Sequence, residues 1–88
     1  MFELWQTNEP AARLADAQTL DGALDHLDTA CRVRHEQAAA NGEGACHMRQ
    51  RFEIRDAADP IVFLTYTPDA DRPFESVASV FRSAGATP

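Results

Sequence analysis

Nothing in these 88 residues approaches the roughly 20 consecutive apolar positions that a membrane-spanning helix requires. The opening MFELWQTNEP has no basic stretch, no long apolar run and no small-residue cleavage signal, so it does not read as a secretory peptide. Cysteine is scarce, with only Cys31 and Cys46. Two cysteines without a secretion signal favour free thiols in a reducing compartment, and the cytoplasm is the expected location. Positive charge is in deficit, the formal net charge being -6. That disfavours a general nucleic-acid coat, because a polyanion repels net negative charge over long range. A local basic patch stays open.

Motifs for common chemistries are also missing. There is no P-loop, dinucleotide fingerprint, zincin motif or EF-hand. The glycines of NGEG (41–44) lack the strand–glycine loop–helix setting that cradles phosphate, and they read instead as a helix end and a change of direction. No cofactor is expected.

What is present suits one small folded unit. A hydrophobic fraction of 44%, with Trp5, Tyr66 and five phenylalanines, argues against disorder. The length predicts a single α+β domain over 1–88, with 86–88 frayed. A chain of this size buries only about 60–65% of its extended surface, so a second subunit would be a natural source of stability.

Along the chain, FELWQT alternates apolar and polar groups as a strand does, and NEP signals a turn. AARLADAQ reads as a second strand with Leu14 facing the core, although its alanines suit a helix almost as well. From Thr19, a candidate N-cap, to Asn41 and Gly42, the residues Leu20, Leu24, Leu27, Cys31, Arg34 and Ala38 fall near one helical face. Gly22 interrupts that helix at a cost of roughly 1 kcal/mol against alanine.

CHMRQRFEIRD (46–56) alternates sharply and predicts a strand with His47, Arg49, Arg51, Glu53 and Arg55 on one face. DAADP turns the chain, and IVFLTYT follows as a strand apolar enough for the sheet interior, or for cover on both faces. DADRPFESVASVFRSAG predicts a short helix with Pro73 at its first position and Phe74, Val77, Ala78 and Phe81 on one side. The expected order is ββαββα: an antiparallel four-stranded sheet with helices packed mainly on one face.

Candidate chemistry gathers on strand 46–56. Arg49, Arg51 and Arg55 can bind a carboxylate or phosphate through their guanidinium forks, which makes a small anionic ligand one reading. Trp5, Phe63 and Tyr66 are candidate interface rings. Nucleic acid is disfavoured as their partner by net charge and by the lack of an RNA-binding strand motif. For catalysis, His47 and Cys46 are the candidate base and nucleophile, with Asp56 or Asp59 reaching them from the turn; His35 and Cys31 are further candidates. Adjacent Cys46 and His47 point to opposite faces of a regular strand, and no metal site is expected. Asp21, Asp25 and Asp28 suit a solvated helix face, or, with Asp69 and Asp71, an acidic complement to the arginine strand. Together these point first to a non-catalytic, homodimeric protein-interaction module without membrane contact. A small enzyme or anion-binding protein using His47, Arg49 and Arg51 is the alternative.

Overall fold

The computed structural model describes residues 1–42 and 49–85. Four strands and two helices follow the expected ββαββα order: β1 (Phe2–Gln6), β2 (Ala12–Ala17), α1 (Leu20–Asn41), β3 (Gln50–Asp56), β4 (Asp59–Tyr66) and α2 (Val77–Gly85). The strands form one antiparallel sheet in the order β2-β1-β3-β4, and both helices pack on the same face.

Period-two alternation explains which face each residue takes. Leu4, Phe52 and Ile54 point to the helices and are buried, joined from α1 by Ala23, Leu24, Leu27 and Cys31 and from α2 by Ala78. Thr19 caps α1, its hydroxyl accepting the Gly22 N–H at 3.0 Å. A methyl group on Gly22 would lie 3.2 Å from that hydroxyl oxygen and 3.3 Å from Ala17 Cβ, so glycine lets the helix start close to β2. Gly42 closes α1 in the left-handed conformation, φ 67°, which glycine adopts without steric penalty.

The turn after β1 is tied down by Asn8. Its Oδ1 accepts the Arg51 N–H at 2.6 Å and its amide donates to the Arg49 carbonyl at 3.2 Å. The Thr7 N–H donates to the Arg51 carbonyl at 2.9 Å. One side chain thus extends the β1–β3 pairing past the end of β1.

Several expectations are corrected. β4 is an edge strand, not an interior one. Its Pro60 lacks an N–H and sits at the bulge between Ile54 and Arg55, a position only an edge tolerates well. Leu14 does not enter the core. A bulge opposite Leu4 and Trp5 displaces it, and it stays 48% exposed while Ala15 and Ala17 pack inward. The last helix begins at Val77 rather than at Pro73. Phe74 is drawn against His35 and Tyr66 of the core layer instead, and Ser76 receives the Ser79 N–H as the helix begins. Within the described part of 46–56 the strand starts at Gln50, so Arg49 lies outside it.

No helix among the described residues is long and apolar enough to cross a membrane.

Candidate functional site: the open face of the sheet

With both helices on one side, no element among the described residues covers the other face of the sheet. Register places Arg13, Trp5, Glu53 and Phe63 in one row across it, and Asp16, Glu3 and Arg55 in the next. Arg51 lies opposite Thr65 towards the other end. Phe63 is 66% exposed, an unusual position for a large apolar ring on an edge strand.

The charges on this face pair largely with one another. Glu3 accepts from the indole N–H of Trp5 at 3.2 Å and from Arg13 at 3.0 Å. These two contacts, the indole first, hold its carboxyl below the usual carboxylate value. Arg55 donates to Glu53 at 3.3 Å, and its guanidinium carbon sits 4.4 Å from the centre of the Trp5 ring. Trp5 is therefore pinned at its edge by a carboxylate and on its face by a cation. Arg51 carries no ion pair among the described residues.

The candidate arginines do not converge on one ligand. Arg51 and Arg55 share the open face, whereas Arg49 lines a groove with Gln6, Asn8, Arg34 and Gln37. The interface rings also divide: Trp5 and Phe63 are on the open face, and Tyr66 is on the helix side beside Phe74. Cys46 and His47 lie outside the described residues. Asp56 and Asp59 are directly paired across the Ala57–Ala58 turn and close the hairpin.

The other catalytic candidates, Cys31 and His35, are both on α1. Cys31 is fully buried, and removal from water pushes its thiol up to about 12, with Asp28 adding to the shift. A protonated buried thiol is not a nucleophile at neutral pH. His35 Nδ1 is 3.5 Å from the Tyr66 hydroxyl, with the Phe74 ring 5.7 Å away. Burial is the main cause of the raised Tyr66 pKa. Among the described residues no three His, Cys, Asp or Glu side chains gather as a metal site would need.

The acids of α1 serve neighbours other than the strand arginines. Arg82 of α2 donates to Asp21 at 2.6 Å and to Asp25 at 2.7 Å. Asp28 accepts from Ser76 and from the Ala78 N–H, contacts that sequence reasoning missed because they span some fifty positions of chain. Asp69 receives Arg72 and the Asp71 N–H. Asp21, Asp25, Asp28 and Asp69 are thus engaged away from β3.

No protein-family model, curated protein sequence or solved structure matches the chain.

Proposed function

We propose that this protein is a non-catalytic interaction module that self-associates through the open face of its sheet, in the cytoplasm. The observation that carries the reading is the exposure of Phe63, in the same cross-strand row as Trp5, on a face that neither α1 nor α2 covers. Burying such a ring against a second copy contributes about 1–2 kcal/mol per copy before association costs are counted. Trp5 supports the same use, because its contacts to Glu3 and Arg55 hold it in one orientation in advance.

Charge favours a protein over a nucleic acid on this face. Arg13, Arg51 and Arg55 are equalled in number by Glu3, Asp16 and Glu53, and Arg55 lies over a face of the Trp5 ring on which a base would stack. A balanced face suits a second copy of itself, and a polyanion gains little from it.

Size-exclusion chromatography with light scattering over a micromolar to high-micromolar series tests the reading. Self-association is expected, with the emission of Trp5, the single tryptophan, shifting to the blue as chains associate. Phe63→Ser is expected to weaken it. A monomer at every concentration overturns the proposal, as does tight binding of short single-stranded RNA that is lost in Arg51→Gln.

A further inference from the structure

We infer that the free edge of β2 is a second self-association surface, which pairs antiparallel with β2 of another copy and extends the sheet to eight strands. Among the described residues β2, the end strand of the sheet, pairs with β1 alone and presents a free backbone edge. The opposite edge is poorly suited to such pairing, since Pro60 of β4 has no N–H to donate to an added strand.

The sequence of β2, ARLADA, is complementary to itself when reversed. Antiparallel pairing about the Leu14–Ala15 bond sets Ala12 opposite Ala17, Leu14 opposite Ala15, and Arg13 opposite Asp16 of the second copy. The two-fold axis repeats each of these, so the contact contains two Arg13–Asp16 pairs. Directly opposed unlike charges stabilise cross-strand pairing.

The bulge makes this register possible. A two-fold axis normal to the sheet keeps the open faces of both copies on the same side, so opposed residues must share a face. Residues three apart in a regular strand do not. Here Arg13 lies opposite Trp5 and Asp16 opposite Glu3, and the extra residue Leu14 between them brings both onto the open face. Arg13 already bonds Glu3 at 3.0 Å, and its guanidinium has further N–H donors for Asp16 of the second copy. On the other side of this border Leu14 and Val33, each 48% exposed, line a shared groove, which the paired Leu14 side chains would cover.

This contact is separate from the one at Phe63. Its two-fold axis is normal to the sheet, and an axis relating two stacked open faces lies parallel to it. Where the two perpendicular axes intersect, the contacts close into a tetramer of two stacked eight-stranded sheets.

Sedimentation and light scattering of the full chain, with circular dichroism as folding control, test the inference through charge reversal. Arg13→Asp and Asp16→Arg each oppose like charges, and each is expected to weaken the edge contact roughly ten-fold or more, halving the wild-type mass. Mixing the two variants in equal amounts restores both ion pairs and is expected to restore the mass. A mass insensitive to either reversal, or a mixture that fails to recover, overturns the edge contact. The two surfaces are distinguishable. A tetramer halved by Phe63→Ser but not by charge reversal removes the edge contact alone. A wild-type dimer split by charge reversal but not by Phe63→Ser keeps the edge contact and removes the open-face reading.

Discussion

Asp28, on α1, accepts a 3.0 Å hydrogen bond from the hydroxyl of Ser76, the residue immediately before α2. The same carboxylate oxygen accepts the Ala78 N–H at 3.2 Å. One helix thus supplies an anion to the N-terminus of the next, where N–H groups lack partners within their own helix. The contact ties α2 to the core at the point where Ala78 enters it.

Asp28→Ala is therefore expected to lower stability by about 1–2 kcal/mol, in the range for losing a helix cap. Asp28→Asn, which keeps an acceptor oxygen, is expected to lose less. Asp25→Asn, at an exposed ion pair with Arg82, is expected to change stability by no more than about 0.5 kcal/mol. Urea denaturation of the three variants checks the order, and equal losses at Asp25 and Asp28 would contradict it.

Cys31 gives the protein a dependence on alkaline pH. Its thiol is raised in the folded state from 9.0 to about 12, so the neutral form is favoured by folding. The contribution is fully present below pH 9 and declines as pH rises from 9 towards 12. Cys31→Ala is expected to cost about 1–2 kcal/mol at pH 7 from lost packing, and to flatten the fall in stability above pH 9. Tyr66, raised chiefly by burial, leaves part of that slope in place. In a Cys46→Ser background, Cys31 is expected to resist a thiol reagent at pH 7 until the chain is unfolded. Rapid modification of the folded protein would show that the thiol is accessible.

The β3–β4 turn offers a gain. Ala57 and Ala58 both have positive φ, 49° and 74°, a pair of conformations that two-residue hairpins usually assign to Asn-Gly. Ala58→Gly removes the steric cost of one of them and is expected to raise stability by about 0.5–1 kcal/mol. Thermal and chemical denaturation should agree on the sign, and a loss would refute the turn assignment.

Glu3 reports on the open face from the acid side. Trp5 and Arg13 hold its carboxyl below 4.5, so its contribution to stability is present above that pH and is lost as pH falls through the lowered value. In an NMR titration, Trp5→Phe is expected to move the Glu3 midpoint up by more than Arg13→Gln does, because the indole contact is the larger cause. Coincident midpoints in wild type and Trp5→Phe would mean that the indole does not hold the carboxylate.

What was legible in the sequence came from short-range regularities. Thr19 and Gly42 bracket α1 because a cap needs only neighbouring residues. Phe52 and Ile54 face the helices while Arg51, Glu53 and Arg55 face away, since alternation is a property of one strand. The same alternation separates Phe63 from Tyr66, three positions on, although ring chemistry alone groups them. The edge position of β4 is not legible in the sequence: Pro60 is compatible with an edge, but the apolar run after it points to an interior strand or one covered on both faces.

Strand order, helix partners and the content of the open face had to wait for the tertiary structure. Which strand pairs with which depends on chain reversals that local patterns do not encode, and here β1 pairs with both β2 and β3. Asp21 and Asp25 meet Arg82, and Asp28 meets Ser76, only because α2 returns to lie along α1. The α2 start is tied to that same return, since one Asp28 oxygen accepts both the Ser76 hydroxyl and the Ala78 N–H there. The basic strand, conspicuous in the linear sequence, becomes part of a charge-balanced surface once Glu3 and Asp16 are set beside it. Sequence determines the faces of each element because side-chain direction follows backbone period. Long-range packing decides which faces meet, and so which residues are left exposed.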